Sequence, residues 1–329
     1  MGSGSGSSLS RAAAAVEWPT LTLLFICYGA FLTVTMMAGF LGDWVATALL
    51  VPILVLHSSL QHEALHGHPF RNQSLNDFLV SLAPGLLVPY LRFKDTHLAH
   101  HYDPNLTDPY DDPESNYFDP ANWSRLPGFL QSLLNFNNTL MGRMVLGPAI
   151  GLIFFYSGDL KAILQGNRRI LWSYVLHLLG LFPVLFWLVY VSEMAIWFYL
   201  LATYLALSVL KIRTYLEHRA HECVASRTVI IEDRGPLALL FLNNNYHAVH
   251  HSHPKTPWYR LPALFRSKRD VFLKRNDGYT YRSYIDVMVR YFFRRKDPVA
   301  HPMMKHAHKS RSCEATSHLS LKEVVYKDQ

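Results

Sequence analysis

The stretch Ile170-Leu-Trp-Ser-Tyr-Val-Leu-His-Leu-Leu-Gly-Leu-Phe-Pro-Val-Leu-Phe-Trp-Leu-Val-Tyr-Val191 contains no Asp, Glu, Lys or Arg. A helix crossing the hydrocarbon core of a bilayer takes roughly 20 apolar residues, so this run reads as a membrane span. His177 and Pro183 within it are tolerable, because neighbouring helices can satisfy the local backbone. Three more runs qualify, at 19–40, 44–61 and 194–210. The 329-residue chain is 50% hydrophobic and 17% charged, and its apolar residues fall in blocks rather than at amphipathic spacing. A soluble protein with buried helices would not carry so many charge-free runs. The expected fold is an all-α integral membrane protein with four transmembrane helices.

Two other apolar stretches fall short of a span. Phe78 to Leu91 is too short and is broken by Pro84, Gly85 and Pro89, while Leu126 to Tyr156 is interrupted by Asn135, Asn137, Asn138 and Arg143. Both read as interfacial or re-entrant. With four spans, the segments 62–169 and 211–297 lie on one face of the membrane and form a helical cap. Residues 41–43 and 192–193 lack Lys and Arg, whereas Gly67 to Arg169 carries eight of them. Positive residues stay cytoplasmic, so the cap and both termini are expected in the cytoplasm.

The net charge of +7 follows from that placement and from anionic headgroups, and no nucleic-acid partner is expected. Cys27, Cys223 and Cys313 show no paired spacing and point to neither a disulfide framework nor a thiolate metal site. Residues 1–17 read as a flexible tail, 18–297 as the membrane domain and 298–329 as a polar tail. His301, His306, His308 and His318 in that last segment are expected to be solvated.

Three histidine clusters belong to the cap: His62-Glu-Ala-Leu-His66, His97-Leu-Ala-His100-His101 and His247-Ala-Val-His250-His251. On a helix, His62 and His66 share a face; His97 and His100 do likewise, with His101 turned toward a second point, and the third cluster repeats that spacing. His57 sits about half a turn from His66 and reads as a structural or pathway residue. Neutral imidazole suits iron, zinc and copper, and eight such ligands exceed what one tetrahedral zinc takes. Two metal ions in a histidine-rich cage account for the count. A histidine-rich metal transporter would place ionisable ligands near mid-bilayer, whereas these clusters lie beyond the helix ends.

On these residues the chain resembles the membrane fatty acid desaturase and hydroxylase superfamily, whose three histidine boxes the clusters match. The resemblance runs from Pro19 to about Phe265. Tyr215-Leu-Glu-His218-Arg, Asn243-Asn-Asn-Tyr-His247 and Leu106-Thr-Asp-Pro-Tyr-Asp-Asp-Pro-Glu-Ser115 look like its bacterial branch, which implies the inner membrane. The resemblance implies two non-haem irons held by His62, His66, His97, His100, His101, His247, His250 and His251, with His218 as an additional ligand; His221 and His253 are weaker candidates. It also implies oxidation of an unactivated C–H bond with dioxygen and two electrons, chemistry that redox-inert zinc does not supply.

The expected activity is desaturation of a fatty acyl lipid, with hydroxylation or ketolation of a lipid, carotenoid or small amphiphile as the alternative. Glu63, Glu217, Asp95, Asp108, Asp111, Asp112 and Glu114 lie close enough in sequence to orient ligand imidazoles, and one or two are expected to do so. Asn243 is placed to assist through water. The chain has no nucleotide-binding glycine fingerprint, iron–sulfur cysteine set or haem domain, so a separate electron donor is expected, a ferredoxin or b-type cytochrome with its reductase. Arg266, Lys268, Arg269, Lys274 and Arg275 offer such a partner a basic surface.

Overall fold

In lipid the backbone must satisfy its own hydrogen bonds, so charge-free apolar runs become helices. The computed structural model describes residues 16–304, and the N-terminal tail up to residue 15 and the histidines at 306, 308 and 318 lie outside them. The long elements are α1 (Trp18–Met36), α2 (Asp43–Leu65), α3 (Tyr90–Tyr102), α4 (Gly147–Leu164), α5 (Arg168–Tyr190) and α6 (Ile196–Thr214), followed by the short α7 (His247–Ser252). Five of these, α1, α2, α4, α5 and α6, are long and apolar enough to cross a membrane. One more than the four runs read from sequence therefore qualifies.

The extra helix is α4, half of which falls in the stretch expected to be interfacial. The segment from Leu126 breaks into helices Gly128–Asn137 and Leu140–Val145 before α4 begins. A Cβ on Gly151, near the start of α4, would lie 3.6 Å from Nζ of Lys211 in the last turn of α6. Further along, Asp159 forms an ion pair with Arg92 of α3 at 2.8 Å and accepts a hydrogen bond from the Tyr174 hydroxyl near the start of α5 at 2.9 Å. α4 thus lies close to the last turn of α6 at Gly151 and is bonded near the start of α5 at Asp159.

The helix boundaries also differ from the hydrophobic runs, for local reasons. α1 stops at Met36, and the chain turns through Ala38–Leu41 and Gly42 before α2. α2 continues past Gln61 to Leu65 because His62 and Glu63, polar in sequence, are buried beneath the cap. At the opposite end of the bundle, Thr35 ties the α5–α6 connection to α1. Its carbonyl accepts from the Glu193 amide and the Ser192 hydroxyl, both at 3.1 Å, and its hydroxyl accepts from the Trp187 indole at 2.9 Å. α2 packs between α1 and α6, with Ala46, Leu50 and Val55 fully enclosed against Tyr199 and Ala202. Small residues at such contacts let helices approach closely.

The stretch Phe78 to Leu91 is the most irregular part of the membrane region. After helix Gln73–Leu79 the chain runs without regular structure to α3, lodged between helices. The Pro84 carbonyl accepts from the Tyr199 hydroxyl, and the Leu86 carbonyl accepts from Nε2 of His177 at 2.8 Å. Non-helical backbone is tolerated at membrane depth when protein surrounds it in this way.

The cap adds a two-stranded parallel pairing of β1 (Ile230–Ile231) with β2 (Thr280–Tyr281) and a small core of Ile230, Tyr246, Val249, Leu261, Phe265 and Phe272. The polar tail begins later than its composition suggested. The Phe118 amide donates to Val299 O at 2.9 Å and the His301 amide donates to Phe118 O at 2.8 Å. His301, expected to be solvated, is buried because this pairing presses it against Thr107 and Tyr117.

Gly180 of α5 has no room for a side chain, since an added Cβ would fall 2.2 Å from the Ser81 carbonyl oxygen. Gly180→Ala must push the irregular segment out of its slot, at a cost of about 1–3 kcal/mol, as for other overpacked sites. Thermal unfolding in detergent should show a clearly lowered midpoint for Gly180→Ala, while Gly29→Ala, inside α1 and meeting nothing within 4 Å, leaves it equal or higher; equal midpoints for the two variants would mean the segment is not seated there.

Candidate metal centre

Residues three and four apart share a helical face, and three helices bring such faces to one point. α2 contributes His62, with His66 as its C-cap; α3 contributes His97, His100 and His101; α7 contributes His247, His250 and His251. His218 follows α6 in an extended segment that pairs with Thr228. The nine histidines form two groups, His62, His66, His97, His101 and His250 in one and His100, His218, His247 and His251 in the other, with potential ligand atoms within 4.8 Å of one another in each. The groups abut: the rings of His101 and His251 stack with centroids 4.1 Å apart.

The direction of the rings is more informative than their proximity. Nδ1 of His97 lies 2.9 Å from Glu114 Oε1, Nδ1 of His100 lies 2.7 Å from Asp112 Oδ1, and Nδ1 of His247 lies 3.2 Å from Asn244 Oδ1. Each of these nitrogens donates its proton to an oxygen, which leaves Nε2 as a lone-pair acceptor. The Nε2 atoms then converge on one another. His100 and His218 approach to 2.8 Å, His247 and His218 to 3.1 Å, and His101 lies 3.0 Å from His97 and 3.1 Å from His250. Nε2 of His62 and of His66 is buried with no hydrogen-bond partner. Buried lone pairs facing one another are unfavourable unless a cation lies between them, so these residues fit a pair of metal ions.

At four of the histidines the electrostatics agree with that fit. Burial, and then repulsion from neighbouring imidazoles, holds His218, His247, His250 and His251 well below the ordinary histidine pKa, so they are neutral near pH 7, the form able to bind a metal. Burial opposes protonation of His100 too, but its hydrogen bond to Asp112 and the nearby Glu114 and Glu217 carboxylates raise it to about 9. Burial raises the Glu114 carboxyl, and the His97 imidazole outweighs this and holds it below the usual carboxylate range.

All nine histidines named from sequence meet here. His57 does not join them; its Nε2 lies 3.1 Å from the Tyr28 hydroxyl. His221 and His253 also fall outside both groups. Of the seven acidic residues named, three touch the site rather than one or two: Asp112, Glu114 and Glu217, which lies 3.9 Å from Nδ1 of His247 and pairs with Arg213 at 3.3 Å. Glu63 accepts from the Trp258 amide, Asp95 pairs with Arg169, and Asp108 and Asp111 brace their own loop. Asn243 donates to the Trp258 carbonyl, and its neighbour Asn244 contacts His247 instead. No spacing rule could have chosen between the two asparagines, because Asn243 turns away in a left-handed backbone conformation with φ of 56°.

The sequence profile of the family described as fatty acid desaturase matches residues 38–283. The chain is 26% identical over 241 residues to a beta-carotene ketolase of Paracoccus sp. (strain N81106 / MBIC 01143), covering 71% of this chain and 80% of that protein. It is 27% identical over 248 residues to a beta-carotene ketolase of Paracoccus sp. (strain PC1), covering 74% and 83%.

Replacing His100 or His250 with Ala removes one member of each group, and elemental analysis of the purified variants should show metal content reduced by about half or more. Asp112→Asn, which keeps the shape but weakens the hold on His100, should cost about 10–100-fold in metal affinity. His57→Ala should retain its metal; loss there would place His57 in the site.

Proposed function

Because the chain belongs to the fatty acid desaturase family, we propose that it is a membrane diiron oxygenase that installs oxygen on a carotenoid-like polyene, as a ketolase or hydroxylase. The observation that carries this reading is the similarity to two ketolases over four-fifths of their length. Desaturation of a fatty acyl chain is the second reading, favoured by the family profile. Both begin with loss of a hydrogen from an unactivated C–H bond and part at the next step, where the carbon either gains oxygen or gives up a second hydrogen from its neighbour.

The five-histidine and four-histidine groups are the proposed iron ligands, nine in all. Iron, when bound, supplies the redox chemistry with dioxygen that zinc lacks. The protein's own contribution is to hold the ligand rings and keep the site dry. Glu114, Asp112 and Asn244 accept the Nδ1 protons of His97, His100 and His247, which fixes the rings with Nε2 inward and raises their basicity. His97, His100, His247 and His250 are buried, which limits access of bulk water to the reacting carbon. Each oxygen atom inserted takes one dioxygen, two electrons and two protons and leaves one water, so a separate donor protein must deliver the electrons. The exposed Arg266, Lys274 and Arg275 suit an acidic partner of that kind.

In the bilayer, we assign α1, α2, α5 and α6 as the spans and lay α4 along the membrane face. The approach of α4 to the last turn of α6 at Gly151 and its bond near the start of α5 at Asp159 support this assignment. The Lys- and Arg-free connections at the opposite end support a cytoplasmic cap.

Cells that make β-carotene, given this chain and a competent electron-donor system, should accumulate a carotenoid that has gained oxygen, detected by mass spectrometry against cells expressing His250→Ala. Membrane lipids lacking two hydrogens, with carotenoids unchanged, would replace this reading with the desaturase.

A further inference from the structure

Beside the four-histidine group lies a cavity of about 870 Å3, with His218 in its wall. That volume falls within the range of small-molecule sites, roughly 300–1,000 Å3. One side is apolar, formed by Phe93 of α3 and by Ile150, Phe154 and Phe155 of α4. The other side is lined by charged groups, and most of these already have partners. Arg143 donates to the Asn137 carbonyl at 3.1 Å and to the Asn138 side chain at 3.2 Å. Arg213 pairs with Glu217, and Lys296 donates to the His218 carbonyl at 2.7 Å. Asp112 and Glu114 are engaged by His100 and His97.

Lys211 is the exception. It lines the cavity from the last turn of α6, and among the described residues its ammonium group has no hydrogen-bond or ion-pair partner. The facing position on α4 is Gly151, whose lack of a side chain leaves Nζ open to the cavity. Lys211 is half-buried, and a plain hydrocarbon filling the cavity would strip the remaining water from its ammonium and offer nothing in return. An oxygen on the ligand would satisfy it.

Resting on the oxygenase reading above, we propose that this cavity seats the substrate and that Lys211 determines its specificity, by donating to an oxygen on an otherwise apolar chain. The substrate class is then a chain bearing a hydroxyl, carbonyl or carboxylate in addition to the carbon that is oxidised. Such an oxygen is available from two sources, the oxygenated ring of a carotenoid or the head of a fatty acid. A bare hydrocarbon carotenoid is the poorer ligand.

The test uses the full-length, metal-loaded protein in lipid nanodiscs, with radiolabelled β-carotene, its ring-hydroxylated analogue and oleate, counting bound ligand after filtration. Lys211→Met should weaken the hydroxylated carotenoid or oleate by about tenfold or more, the factor a charged hydrogen bond carries, and should not weaken β-carotene. Whichever oxygenated ligand responds identifies the source. Lys211→Arg should restore binding, and Lys211→Gln, a neutral donor, should spare the hydroxylated ligand more than oleate; metal content of each variant checks that the site is intact. Equal binding of both oxygenated ligands to wild type and Lys211→Met, or a parallel loss of all three, overturns the proposal. Lys211-dependent binding without any product that gains oxygen would leave this assignment standing and remove the oxygenase reading. Oxygenation of the ring-hydroxylated carotenoid with equal efficiency by wild type and Lys211→Met would do the reverse.

Discussion

Everything in the cap answers to one constraint, the gathering of nine imidazoles, five of them buried, with their lone pairs aimed at one another. Bringing such groups out of water is unfavourable, and packing alone does not compensate. The chain meets this cost from behind the rings, where Glu114, Asp112 and Asn244 take the Nδ1 protons. It leaves the front unsatisfied, most plainly at the buried Nε2 atoms of His62 and His66. A polar network satisfied on one side only is a poor core and suits a metal cage, because cations held between the rings would complete it.

Holding that cage explains the shape of the scaffold. α2, α3, α7 and the His218 segment come from regions far apart in sequence, and none holds a complete group. α2 therefore runs past its apolar stretch to carry His62 into the cap, with its lower half clamped between α1 and α6. The loop after α3 folds back to set Asp112 and Glu114 behind His100 and His97. The C-terminal segment around Val299 and His301 closes over that loop. The buried ion pair of Arg213 with Glu217 links the end of α6 to the same network.

The membrane side is built from less regular parts. The segment between Val80 and Pro89 fills a slot against Gly180 and Tyr199, and α4 roofs the cavity beside His218. Irregular backbone and a tethered helix are ways to leave space next to the histidine groups inside a bundle that would otherwise close on itself. Among the described residues, most charged groups lining that space have hydrogen-bond or ion-pair partners, with Lys211 as the exception.

The sequence by itself determined the span-forming runs, the nine histidines and their division among helical faces, because these follow from local hydrophobicity and from spacing along a helix. It could not show that α4 is long enough to count as a fifth candidate span, since that helix begins at Gly147, inside a stretch whose asparagines and Arg143 disguise it. It named Asp112, Glu114 and Glu217 among seven acidic residues without ranking them. Only the tertiary structure chose those three, preferred Asn244 to Asn243, drew His301 out of the solvent and left Lys211 without a hydrogen-bond or ion-pair partner among the described residues. Which side chain meets which ring depends on the path of loops that carry no periodicity, and that path is fixed by contacts between residues a hundred or more positions apart, such as His100 with His218 and Tyr117 with Asp297.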